Sequence, residues 1–389
     1  MPAISSRAEG VAHSGIREIV NLVIERGGDV RRLEIGEPDF TTPTHIIEAG
    51  HAAALAGARY TQSAGTIAVR EAAAVKLSKV NGIDVPIEDV VICQGAVQGC
   101  AVTLAALLDT GDEVLIPDPA WPNYEMLVRL YGGIPVPYPL HSGTGFLPDV
   151  DQVAGLVTDR TVALVVNSPS NPTGAVFPPD VIQSLVELSG RRGLVMISDE
   201  VYDELIFEGA PPNAAAIDPE VVVGVYSCSK TYAMTGWRIG YLTAPRWLSG
   251  TLAKLQEPLI SCVSAVSQTG AVAALTGPQE CVDEMRAAYR SRRDLVVGRF
   301  LDAGIAVAEP KGAFYLMVPF APGTDGRAAA LDLVEHGVSL APGTAFGRVA
   351  ADHARLSLAS STEILADGVE RIVSWYETTG GGAGLGGGG

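Results

Sequence analysis

The chain has 389 residues, 47% of them apolar and 18% charged, and a formal net charge of −17. That length exceeds a single typical core, so two domains are expected, and the composition is that of a globular protein rather than a disordered one. The acidity argues against nucleic acid or an anionic membrane surface as partner, since both would repel it, and no apolar run approaches the roughly 20 residues that span a bilayer.

Up to about Leu33 the sequence reads as an irregular arm and a helix carrying Ile16, Ile19, Val20, Val23 and Ile24 on one face. IGEPDF then places Gly36 before Glu37 and Pro38, which taken alone is a turn. A helix from about Thr44 to Ala56 leads to Tyr60 in YTQSAGTIAVREAAA, by itself an aromatic start to a helix-capping loop, and Gly82 to Asp89 is a turn-rich link. From Val90 apolar strands alternate with helices: VVICQG, a helix from Ala96 to Leu108, EVLIPDP, a helix from Trp121, ALVVNSPSNPTG, and a helix near Pro179 to Leu188. LVMISDEVY, VVVGVYS and WRIGYLTA continue the series. This pattern predicts an α/β fold with a mostly parallel sheet between helices, in which ligands sit at the carboxyl ends of the strands.

Helix-rich sequence from about Trp247 to Ala303 includes a long helix across the expected domain boundary. AFYLMVP, VSLAPGTAFG and RLSLA suggest a smaller α/β domain completed by the N-terminal arm. The expected division is a large domain over 46–285, a small one from 1–45 and 286–379, and a flexible glycine-rich tail over 380–389 outside the fold. Cys93, Cys100, Cys228, Cys262 and Cys281 are scattered, with no C-x-x-C, as expected of reduced thiols rather than disulfides or a metal site. The N-terminus lacks a basic segment followed by an apolar one, so a cytoplasmic location is expected.

The residues that carry chemistry cluster at strand ends. Lys230 follows a β-branched run, has Ser227 and Ser229 just before it, and is followed by Arg238 in GWRIGY. A lysine held in such a frame suits a Schiff base to a phosphorylated aldehyde, although strand-end lysines are common as solvated residues. Gly95, Ala96 and Val97 turn from a strand into a helix, where backbone N–H groups and the helix dipole favour an anion. Arg238 adds a bidentate donor for the same purpose. Trp121 in WPNY is a core residue or a stacking surface, and Asn171 in NSPSNPTG belongs to an Asn-Pro turn on the bland view. Asp199 in SDEVYDEL is either a helix cap or a charged partner for a ring nitrogen, and Arg355 opens the apolar run RLSLA.

In order and spacing these segments resemble the class I/II aminotransferases, pyridoxal-phosphate enzymes with the fold of aspartate aminotransferase (fold type I), and most closely the bacterial-type subgroup. The likeness covers nearly the whole chain, from G-x-P-x-F at Gly36 to R-L-S-L-A at Arg355; within it, Val69 stands where the family has leucine. It implies pyridoxal 5'-phosphate as cofactor, bound by Gly95, Ala96, Val97, Trp121, Asn171, Asp199, Tyr202, Ser227, Lys230 and Arg238. Tyr60 is implied to reach the cofactor phosphate of a neighbouring subunit in a homodimer. Gly36, Asn171 and Arg355 are implied to meet substrate, with Arg355 on its α-carboxylate. Lys230, Asp199 and Tyr202 are the implied catalytic residues, and the implied reaction moves an amino group from an L-amino acid to a 2-oxo acid through a Lys230 Schiff base.

Carbon–sulfur lyases, racemases and cyclopropane-forming synthases share this fold and lysine, so they stand as the alternative. A pyridoxal-phosphate-sensing regulator would need a DNA-binding domain, for which the residues before Gly36 are too few. The segments in which the family places a cation for a substrate's distal carboxylate read GAVQGC and LQEPLISC here, with Val97, Gln98, Gln256 and Glu257. A neutral or aromatic donor is therefore expected over aspartate.

Overall fold

In the computed structural model, which describes residues 4–11, 15–209, 213–383 and 385, the apolar runs from Val90 onward form one seven-stranded sheet. Its strands are β1 (Val90–Cys93), β2 (Glu113–Asp118), β3 (Ile134–Pro139), β4 (Thr161–Asn167), β5 (Val195–Asp199), β6 (Val222–Ser227) and β7 (Gly240–Thr243). Their order across the sheet is β1-β7-β6-β5-β4-β2-β3. β7 runs antiparallel to both neighbours and the other adjacent pairs are parallel. β1, β2, β5, β6 and β7 are buried along their whole length, as a sheet covered on both faces requires.

The reversal of β7 matters for the site. Ser227 at the end of β6 pairs with Gly240 at the start of β7, so residues 228–239 stay at the carboxyl edge of the parallel strands. Lys230 and Arg238 are thereby held beside the ends of β1, β4 and β5 rather than carried to the far side of the sheet.

β3 has no counterpart in the sequence reading. Pro135, Pro137 and Pro139 each remove a ladder donor, which argues against a strand in a sheet's middle but not at its edge, and β3 lies at the edge, paired with β2 alone. The short helix Val150–Gly155, capped by the Asp149 carboxylate, is also absent from the sequence reading.

A second sheet of order β9-β10-β8 is antiparallel and built from β8 (Tyr315–Pro319), β9 (Ala341–Pro342) and β10 (His353–Ser357). The arm from the N-terminus joins this part of the chain, since Arg31 and Arg32 pair in parallel with Val338 and Ser339. The helix Glu280–Asp302 is the long one expected between the two parts.

The apolar face expected on the first helix divides into two rows in the helix Gly15–Arg26. Ile19 and Val23 are buried against Ala330 and Val334, while Ile16 and Val20 turn toward a cavity at the sheet edge. Ile24 continues the second row past the cavity rim and is exposed.

The glycine-rich tail differs from expectation over its described part. Gly381 O accepts from Ala321 N at 2.9 Å and Leu385 O from Asp325 N at 3.0 Å, and Leu385 packs on the main core. Glycines at positive φ from 380 to 382 let the chain fold back this closely. Gly384 and residues 386–389 lie outside the described residues. Among the described residues, no helix is long and apolar enough to cross a membrane.

Candidate active site

The carboxyl end of β6 delivers the lysine. The Ser227 side chain accepts from Ser229 N at 3.1 Å and so caps the short helix Cys228–Thr231, which carries Lys230. Lys230 Nζ donates to Gly36 O at 2.6 Å and lies 5.6 Å from the centre of the Phe314 ring. Burial, with Arg355 and Arg238 nearby, outweighs the opposing Glu37 charge and lowers the lysine pKa to about 8, so the neutral amine is a minor species at pH 7 and the major one above about pH 8. Gly36 is required by contact: a Cβ there would stand 2.1 Å from the Tyr315 hydroxyl.

An anion-binding corner adjoins the lysine. Gly95, at φ +76°, leads out of β1 into the helix Ala96–Leu107, and a Cβ on it would be 2.4 Å from Arg238 Nη2. Ala96, Val97, Ser227, Ser229 and Arg238 border one cavity. Arg238 is itself at φ +53°, with Nη1 donating to Thr235 O at 2.8 Å. A helix N-terminus, two hydroxyls and a guanidinium around one space favour a phosphate group.

Asp199 closes β5 on the other side of the cavity. Its carboxylate accepts hydrogen bonds from the Tyr124 hydroxyl and from Val201 N, but among the described residues it has no cationic partner. Burial therefore prevails over those hydrogen bonds and raises its pKa to about 6. Trp121 lines the cavity, with its ring edge-on to Tyr124 at 5.5 Å between centroids.

Arg355 comes from β10, in the other sheet. It is 3% exposed, with Nη1 donating to Asn171 Oδ1 at 2.9 Å and Nη2 to Glu34 O at 2.7 Å. Its Nε has no partner among the described residues, and burial lowers its pKa. Its guanidinium is sandwiched between Tyr315, 4.3 Å from the ring centre, and Phe346 at 4.8 Å. The Tyr202 hydroxyl lies 3.0 Å from that of Tyr315.

The cavity joining these groups has a volume of about 480 Å³. It brings Gly36, Trp121, Asn171, Asp199, Tyr202, Lys230, Arg238 and Arg355 to one space. Gly95 shapes the corner without lining it. Tyr60 is not brought there by its own chain and is 92% exposed. Tyr124 and Tyr315 are among the residues with site contacts that were missed in the sequence. Tyr124 sits in the WPNY segment, three residues after Trp121, so it was within reach of a reading that took the segment as a unit. Tyr315 lies in AFYLMVP, where nothing local marks one aromatic residue of a buried strand as facing a site.

A buried carboxylate without a cation, a buried guanidinium with an orphan Nε and a glycine-shaped anion corner together fit a phosphorylated aromatic aldehyde with a basic ring nitrogen, placed within reach of Lys230. Known proteins resemble this chain over nearly its whole length. A family model described as "Aminotransferase class I and II" matches residues 29–372. A probable aspartate/prephenate aminotransferase of Thermus aquaticus is 37% identical over 382 residues, covering 96% of this chain and 99% of the relative. Among solved structures, aspartate aminotransferase from Thermus thermophilus with maleate superposes at a TM-score of 0.92 with 37% identity, covering 96% of this chain and all of that one. Alanine aminotransferase from Pyrococcus furiosus matches at a TM-score of 0.92 with 31% identity, covering 97% and 100%.

Proposed function

The chain belongs to the class I and II aminotransferases, with the fold type I architecture of aspartate aminotransferase, and from that premise we propose which residues do the work and on what substrates. The observation that carries the assignment is a lysine lowered to about 8 in a cavity that it shares with Arg238 and Arg355. An amine that gives up its proton more readily than an ordinary lysine can supply the neutral form that attacks a carbonyl, and two cations fixed on either side can hold a phosphate and a carboxylate.

On this reading the cofactor is pyridoxal 5'-phosphate, which, when bound, supplies a protonated aromatic ring that stabilises negative charge at the substrate α-carbon and stores the amino group between the two half-reactions. Ser227, Arg238 and the N–H groups of Ala96 and Val97 hold its phosphate, with Gly95 keeping the approach open. Asp199, held by Tyr124, keeps a proton on the ring nitrogen, and that positive charge relieves the burial that raises the carboxyl. Trp121 fixes the ring plane by stacking. Arg355 occupies Asn171 Oδ1, so Asn171 Nδ2 is left to donate to the phenolic oxygen, together with Tyr202. Arg355 also takes the substrate α-carboxylate, which supplies the anion that the guanidinium lacks. Lys230 would take the proton from the substrate α-carbon as general base and give it up again as general acid.

Reduction with borohydride of protein loaded with pyridoxal phosphate should abolish a visible absorbance band and leave the label on the peptide carrying Lys230. Label on a different lysine would overturn the assignment.

The donor is proposed to be neutral or aromatic. Beyond the three cations already engaged, the cavity wall offers Ile16, Val20, Val97 and Trp121. Gln98 and Gln256 bond to each other, and Gln256 is buried against Ile92 O at 2.6 Å, so neither reaches out as a donor for a distal carboxylate. A carboxylate desolvated without a partner is costly, and an apolar side chain is not. Across a panel of amino donors, kcat/KM should be higher for neutral or aromatic side chains than for aspartate. Aspartate or glutamate leading tenfold, about 1.4 kcal/mol, would count against this proposal.

The active unit is proposed to be a homodimer. Supporting this, the segment Thr44–Lys76 exposes Ile47, Leu55, Tyr60, Ile67 and Val75. The proposed division into a large domain (46–285) and a small one (1–45 with 286–379) is supported by the seven-stranded sheet falling within the first range and the three-stranded sheet within the second. Five free cysteines favour the cytoplasm.

A further inference from the structure

Tyr315 takes no part in the scheme above, yet several of its components meet at this side chain. Its hydroxyl is 3.0 Å from that of Tyr202, its ring lies 4.3 Å from the Arg355 guanidinium, and it packs on Gly36, whose carbonyl receives Lys230 Nζ. The residue is 2% exposed, and its ring is braced by Phe314 at 4.7 Å and by Tyr202, edge-on, at 5.8 Å between centroids.

Two phenols at this distance share one proton: one donates, and the other keeps its own proton for a different acceptor. Which of them donates decides where the Tyr202 proton points. If Tyr202 gave its proton to Tyr315, it would have none for the cavity. Burial raises both phenols, and the Arg355 guanidinium, stacked 4.3 Å from the centre of the Tyr315 ring, favours loss of the proton from Tyr315, which makes its hydroxyl the better donor of the two.

We propose that Tyr315 is a positioning residue that donates a hydrogen bond to the Tyr202 hydroxyl and so aims the Tyr202 proton into the cavity, at the phenolic oxygen of a cofactor on Lys230. This inference rests on the assignment of that cofactor. A hydrogen bond donated to the phenolic oxygen stabilises negative charge there and lowers the pH at which the bound cofactor's visible band changes. Without the Tyr315 hydroxyl, Tyr202 is free to rotate away, so that pH rises. The charged groups facing the pair are Arg355 from β10 and Asp199 from β5, with Lys230 beyond Gly36, and removal of one phenolic hydroxyl leaves all three in place.

The test is a spectrophotometric pH titration of the cofactor-loaded wild type, Tyr315→Phe, Tyr202→Phe and the double variant. Tyr315→Phe keeps the ring and its stacking on Arg355. Its midpoint should rise by roughly half a pH unit or more, and Tyr202→Phe should raise it further. The double variant should match Tyr202→Phe, because Tyr315 acts through Tyr202. An unchanged midpoint in Tyr315→Phe overturns the proposal, as does an equal shift with and without the Tyr202 hydroxyl, which would mark a general structural effect. A fluorinated tyrosine at position 315, a stronger donor, should lower the midpoint, and this arm decides the matter if Tyr315→Phe does not fold; a midpoint that stays or rises overturns the proposal. Borohydride labelling of the same wild-type sample separates the two levels: label away from Lys230 means that the cofactor assignment has failed, whereas label on Lys230 without the expected shifts means that only the role of Tyr315 has.

Discussion

An amine buried beside two guanidiniums holds its proton less tightly than one in water, which is why the ordinary lysine pKa falls to about 8 at Lys230. Since the unfolded lysine titrates near ~10.4, the unfolded chain binds the extra proton between about pH 8 and 10, and this residue's contribution to stability rises with pH across that window. Below it the penalty for a charged, desolvated amine applies in full. In cofactor-free protein, Lys230→Met should therefore stabilise the fold at pH 7 by on the order of 2 kcal/mol, with the gain fading as the pH approaches 10. Urea unfolding at several pH values checks this, and a gain independent of pH would place its origin elsewhere. Asp199 is the opposite case, a carboxyl raised to about 6 for want of a cation. Each charge in the cavity is thus one that a ligand of opposite charge would relieve.

At the level of secondary structure, the site is a set of strand ends, and its precision comes from how each strand stops. β1 stops at a glycine that must take φ +76° and must also leave room for Arg238, two demands that no residue with a Cβ meets. Gly95→Ala should push the guanidinium out of the anion corner and add strain of about 1 kcal/mol. The expected result is a Kd for pyridoxal phosphate at least tenfold weaker, measured by titration, in a protein that still folds. Unchanged affinity would show that this turn and Arg238 do not form the phosphate site. β6 stops where Ser227 caps the lysine turn, and the antiparallel return of β7 keeps Arg238 on the same edge. The substrate end depends on the other sheet, because Arg355 reaches Asn171 only if β10 keeps its register against β8, Arg355 opposite Met317.

For the whole molecule, Tyr60 is the test of assembly. It is 92% exposed and remote from its own chain's cavity, so a role for it in the chemistry requires a second copy. Mixing Tyr60→Phe with inactive Lys230→Ala should yield hybrid dimers in which one site is free of both changes, and activity should rise after subunit exchange. If mixing leaves activity at the level of the separate variants, the sites are not shared.

The α/β pattern, the family and the strand-end residues could be read from the sequence because each signal is local: a period of two or 3.6, a glycine at a turn, or a chemical group one or two residues beyond an apolar run. Asp199 ends a strand, and Lys230 and Asn171 lie within a turn of the end of one, so knowing the strand was enough to know the end of the sheet on which they sit. β3 escaped because its prolines mask a strand that only an edge position permits. The pairing of Tyr124 with Asp199, of Tyr315 with Tyr202 and of Arg355 with Asn171 was decided in three dimensions, by strand register and by how the second sheet packs on the first. The displaced pKa values of Lys230 and Asp199 arise at that level too, since they come from desolvation, and no stretch of sequence states how much water a side chain loses when distant segments close over it.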